Sequence, residues 1–352
     1  MAQKITRWLL FSLILTLGFG QLLRFNWYGV PLYLHDILVL AILVLHGRSL
    51  KVVQVPLGLK IFLAGLALGW LSALLHYPLT QLLVPSLYTL RLLSYLTLYF
   101  SLRTQHVKLP QRIFLLSGLT TLIIGLLQYF YLPDMRVFQY LGWDDHLNRL
   151  TLPHFDPTFT ASMLSLAVLS TPFTLYLAPF ILGILLTYSR SVWLSLVLTA
   201  FITLKSKKIL LISGTLLLLS VFALPQKFGE GTNLLRSYSI SSRLQADLSS
   251  VRQYQWGMLI GRGLNTLPLN DAGSRYPDHA TGPNNSYLYL LLTTGILGLV
   301  GWGVFCKNLY LGSTHKPMLI FFFLASLFNN VMFYPFALLW VLLIESQSSF
   351  DL

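Results

Sequence analysis

The chain has 352 residues, of which 55% are hydrophobic and 10% charged, and its 24 lysines and arginines outnumber 11 aspartates and glutamates to give a net charge of +13. The mean hydropathy of the whole chain is +0.68, and its repeated apolar runs of about twenty residues read as membrane helices rather than a soluble core, and they do not alternate as the strands of a transmembrane barrel would. The positive charge is spread between the runs and forms no patch for nucleic acid, and the single cysteine, Cys306, allows no internal disulfide.

The predicted spans are Trp8–Leu23, Leu32–His46, Leu57–Tyr77, Leu82–Leu102, Ile113–Tyr131, Thr158–Thr171, Phe173–Tyr188, Val192–Leu204, Ile209–Leu224, Ser286–Cys306, Met318–Asn329 and Phe336–Ile344. The first follows Lys4 and Arg7 and lacks a small-residue cleavage pattern, so it reads as an uncleaved first helix. The whole is expected to be one all-α, polytopic membrane domain over residues 1–352 with about twelve transmembrane helices. Several runs are short, and the pair around Ser170–Pro172 is equally readable as one bent element. Lysines concentrate in alternate short connections, with Lys205, Lys207 and Lys208 as the strongest anchor, which places the N-terminus and that connection in the cytoplasm.

Two opposite segments are long. Leu132–Pro157 carries Asp134, Asp144, Asp145, His146, Arg149, His154 and Asp156, and Arg149 reads there as a surface arginine. Residues 225–285 form the largest extracytoplasmic loop, too long for an idle connection. Within it, Leu244, Leu248 and Val251 fall at helical spacing with Arg243, Asp247 and Arg252 between them, which predicts an amphipathic helix able to lie on the bilayer surface.

Few side chains here suit chemistry. Arg190 lies between two apolar runs, where an arginine faces a polar cavity or snorkels beside an interfacial Tyr188 and Trp193. Arg91 sits mid-span and pairs either with Asp36 or with a lipid phosphate. Gly261-x-Gly263 lacks the strand–helix context of a dinucleotide site. The stretch Tyr276–Trp302 puts Asp278, His279, Asn284 and Asn285 at the mouth of an apolar helix that contains Gly295, Gly298 and Gly301. Asn285 and Ser286 can orient a substrate or cap that helix.

Asn284-Asn285, nine residues, Gly295, two residues and Gly298 resemble the signature of the bacterial O-antigen ligase and polymerase family, in which a histidine occupies the place of Asn284. Ser189-Arg190-x-x-Trp193 resembles a second motif of that family, and an arginine ahead of a glycine-rich stretch corresponds to Arg243, with Arg252 as its rival. The resemblance runs from Phe159 to Leu299. It implies a GT-C-like helical glycosyltransferase of the inner (cytoplasmic) membrane, acting on the extracytoplasmic face without metal or other cofactor. Its implied donor is a glycan on a polyprenyl diphosphate, undecaprenyl diphosphate; its implied acceptor is a hydroxyl of a glycan or lipid-linked sugar, and membrane lipid is a further partner. On that reading Arg190, Arg243 and His279 are the catalytic candidates, His279 standing in for the missing histidine, and Arg91, Arg252, Asp278, Asn284 and Asn285 contact substrate. A lipid-linked glycan transporter and a non-catalytic assembly subunit are the two other functions open to the same residues.

Overall fold

The computed structural model describes residues 2–27, 30–46, 55–105, 107, 109–171, 177–204, 214–215, 219, 223–225, 230–234, 237–255, 257–270 and 282–348. Prolines mark several helix starts, because a proline lacks the N–H that the first turn leaves unpaired. Helix α1 (Ala2–Gly18) leads into a hairpin, followed by α2 (Leu34–His46). Then come α3 (Leu57–His76) behind Pro56, α4 (Leu79–Thr104) behind Pro78 and α5 (Gln111–Tyr131) behind Pro110. Helix α6 (Pro157–Ser170) starts on Asp156, whose carboxylate accepts the amides of Thr158 and Phe159 at 2.6 and 2.9 Å. The remainder is α7 (Leu177–Leu186), α8 (Arg190–Thr203), α9 (Tyr238–Gln253), the single turn α10 (Gly257–Ile260), α11 (Ser286–Gly312), α12 (Lys316–Phe328) and α13 (Pro335–Glu345).

The chain is mostly helical, as expected. Among the described residues, four helices, α3, α4, α5 and α11, are long and apolar enough to cross a membrane alone; the other apolar helices there are shorter. The expected span Ile209–Leu224 falls largely outside the described residues. The expected boundary at Leu32 is corrected: strands β1 (Arg24–Trp27) and β2 (Val30–Tyr33) pair antiparallel, Arg24 opposite Tyr33, and the second helix begins only at Leu34.

The most extensive helix pairing is α3 against α11. It depends on small residues that let backbones touch. A Cβ on Gly58 would lie 2.6 Å from the amide nitrogen of Phe305, and one on Gly65 or Gly301 would run into the backbone of the opposing helix. Helix α11 is broken at Gly295, with φ 69° and ψ −179°, a region open essentially to glycine alone. The break removes the partners that a continuous helix would give the carbonyls of Leu292 and Thr293. The loop ahead of α11 replaces them: the amide of Arg262 donates to Leu292 at 3.0 Å and that of Gly263 to Thr293 at 2.9 Å. Gly261-x-Gly263 is thus a backbone plug for a broken helix.

Candidate functional site

The corner between α7 and α8 presents Arg190. Tyr188 takes φ 54° there. Tyr188 and Trp193 are buried, at 0% and 4% exposure, and do not occupy the interface expected of them. The Trp193 indole donates to the Ile184 carbonyl at 3.0 Å, and the Tyr188 hydroxyl to Pro225 at 2.9 Å. Arg149 corrects the sequence reading more sharply. It is 6% exposed and donates from Nε to the Thr187 carbonyl at 2.9 Å, while the amide of Leu150 donates to Leu186 at 2.9 Å. The segment 149–150 therefore latches the corner from behind. Arg190 reaches forward and donates to the Leu234 carbonyl at 2.9 Å.

Helix α9 brings the second arginine. Arg243 donates to the Phe328 carbonyl, at the end of α12, at 3.4 Å, and its charge acts on Arg190. Asp247, one turn further on the same face, accepts the amide of Asn284 at 2.9 Å. Burial raises the pKa of the Asp247 carboxyl above its ordinary value, while the amides of Asn284 and Asn285 and the Arg243 charge oppose that rise. Ser250 and Tyr254 continue this inward face, whereas Leu244 and Leu248 are 59% and 48% exposed on another. Arg252 is nine positions from Arg243, about two and a half turns, and lies exposed beside Gln245 and Ser249 on the far side. The helix is amphipathic as expected, and the face it turns to the protein is the polar one.

The mouth of α11 closes the group. Asn285 caps the helix, its side chain accepting the amides of Tyr287 and Leu288 at 2.9 and 3.1 Å. The Ser286 hydroxyl donates within 3.1 Å of both the Asn329 carbonyl and Asn330 Oδ1. Asn329, in the link between α12 and α13, donates from Nδ2 to Ser191 Oγ at 3.0 Å. Thus the starts of α8 and α11, the inner face of α9 and the α12–α13 link meet at one end of the bundle. Asp278 and His279 lie outside the described residues.

Arg91 belongs to a different set of contacts. Its Nε and Nη2 grip the Asp36 carboxylate at 2.8–3.1 Å, and Nη2 also donates to the Pro31 carbonyl. Tyr95 donates to Asp36 at 2.6 Å, and the rings of Tyr33 and Tyr88 flank the guanidinium at 5.0 Å. Of the two partners open to Arg91 in the sequence, Asp36 is the one it meets. In the 132–157 segment, His154 is fully buried against the Tyr334 hydroxyl at 2.8 Å, and burial pushes its pKa down to about 3. Asp144, His146 and Asp156 bring possible cation-ligand atoms within 4.8 Å of one another, among the described residues, although Asp156 already caps α6.

Sequence reasoning took Asp247 only as a polar position of the expected amphipathic helix and passed over Asn329 and Asn330. The i, i+4 spacing of Asp247 from Arg243 was a usable signal; the asparagine pair between two apolar runs was a weaker one.

Residues 175–303 match a family model described as O-antigen ligase. Over that stretch the chain is similar to the O-antigen ligase family. No curated protein matches the chain. The matched stretch contains Arg190, Arg243, Asp247, Asn284, Gly295 and Gly298, while Asn329, Asn330, Arg91 and the Arg149 latch come from outside it. The family's polar motif and its glycines therefore occupy two ends of one device: Asn284 and Asn285 open α11, and Gly295 breaks it where the preceding loop docks.

Proposed function

We propose that this protein is a membrane glycosyltransferase of the ligase or polymerase type, moving a glycan from a polyprenyl diphosphate to an acceptor hydroxyl on the extracytoplasmic face of the cytoplasmic membrane. The observation that carries the reading is the meeting of Arg190 and Arg243 beside the α11 mouth. The two guanidinium groups donate to main-chain carbonyls, Arg190 to Leu234 and Arg243 to Phe328, and two positive charges brought together there form a site that favours an anion. A departing diphosphate needs such charge as the glycosidic bond breaks, and a guanidinium offers it in a planar fork matched to phosphate oxygens. Asn284 and Asn285 stand beside them to position the sugar or acceptor. Apolar helix surface offers the prenyl chain a lipid-side path. The transporter reading leaned on Arg91 as a charge within the membrane, and Arg91 is gripped by Asp36.

The test is transfer in proteoliposomes with a lipid-diphosphate-linked glycan and a glycan acceptor. Arg190→Lys and Arg243→Lys keep the charge and lose the fork, and each is expected to lose ~10²-fold in rate, near the ~3 kcal/mol typical of one oxyanion donor. Transfer by both variants near the parent rate would refute the diphosphate clamp.

A further inference from the structure

We propose that Asp247 is the general base that deprotonates the acceptor hydroxyl. The inference rests on the transfer reading above. A base has to come within hydrogen-bond reach of the acceptor hydroxyl, in the same pocket as the charge that receives the leaving group. Asp247 meets this by construction. It shares the inward face of α9 with Arg243, whose charge acts on Arg190, and it accepts the amide of Asn284 at the α11 mouth. Asn284 and Asn285 carry amide side chains, which have no useful basicity. Of the buried titratable groups in the neighbouring 132–157 segment, His154 is spent on Tyr334. Asp247 is half-buried, and its raised pKa makes the carboxylate a stronger proton acceptor than a solvated one.

The step balances. The acceptor O–H gives its proton to an Asp247 oxygen as the acceptor oxygen bonds to the anomeric carbon. The bond from that carbon to the diphosphate breaks, and its electron pair leaves on the diphosphate between the arginines. Asp247 later returns the proton to water. The groups bearing on the carboxylate, among the described residues, are Arg243 on its own helix and the amides of Asn284 and Asn285.

Three variants separate chemistry from architecture. Asp247→Asn keeps an oxygen to accept the Asn284 amide and removes the basicity; Asp247→Glu keeps the basicity and moves it; Asp247→Ala removes both. In the proteoliposome assay Asp247→Asn is expected to lose ~10²–10⁴-fold in transfer while retaining the lipid-linked donor as the parent does, Asp247→Glu to recover part of the rate, and the acidic limb of the pH–rate profile to vanish in Asp247→Asn. An active parent with Asp247→Asn within about threefold of it, or a loss confined to His279→Ala, overturns the assignment and leaves the transfer reading standing. A parent protein that transfers nothing, and whose arginine variants retain donor unchanged, overturns both.

Discussion

Replacing Gly295 by alanine tests whether the broken helix is a requirement of the fold. The backbone there has φ 69° and ψ −179°, a conformation that costs an L-residue about 1–3 kcal/mol. The added Cβ would also meet the Leu259 carbonyl oxygen at 2.5 Å and the Ile260 carbonyl carbon at 2.7 Å. Both are backbone atoms of the α10 turn and cannot rotate aside, so overpacking adds about 1–3 kcal/mol. The total is about 2–6 kcal/mol. Gly303, on the same helix, has nothing within 4 Å of its Cβ position, and Gly303→Ala is expected to stabilise by about 0.5–1 kcal/mol through helix propensity alone. Thermal unfolding in detergent measures both, and hydrogen exchange at the amides of Arg262 and Gly263 reports whether the loop still plugs the Leu292 and Thr293 carbonyls. If Gly295→Ala unfolds with the parent and keeps that protection, the reasoning from the left-handed break fails.

Two more outcomes follow. Arg149→Lys cannot span Thr187 with the same fork, so it should lower transfer by roughly tenfold through a displaced Arg190, with a normal yield of folded protein; an unchanged rate would show that the latch does not set the corner. Cysteines introduced at Gly273 and at Ser206, in a Cys306→Ser background, should label from outside and inside respectively, and external labelling at Ser206 would place the arginine site on the wrong face for lipid-linked donors.

The elements of this chain are read well from sequence where physics is local. Apolar length marks α3, α4, α5 and α11, and the polar residue ahead of an apolar run marks Asn285 as a cap. Arg190 was legible because a charge between apolar runs is costly and therefore conspicuous, and Arg243 through its place ahead of a glycine-rich stretch. What depends on distant partners was not. Arg149 looks like a loop arginine because the carbonyls of Thr187 and Tyr188 that bury it lie forty residues away or nearly so. Alternation in α9 reveals two faces and does not say which one meets protein; only the packing turns Arg243 and Asp247 inward. The hairpin at Arg24–Tyr33 was missed because four-residue strands carry too little pattern to separate from a helix end.

The break in α11 also bears on how the protein is made. Two carbonyls without helical partners would be expensive in hydrocarbon, by several kcal/mol each. Yet the groups that meet these two carbonyls and the turn beside them are translated before α11: Gly65 and Gly69 of α3, and then the amides of Arg262 and Gly263. When α11 leaves the translocation machinery, its berth is already furnished. The helix need never wait in lipid with its backbone open, and a strained segment that would be a hazard early in the chain becomes tolerable because it comes late.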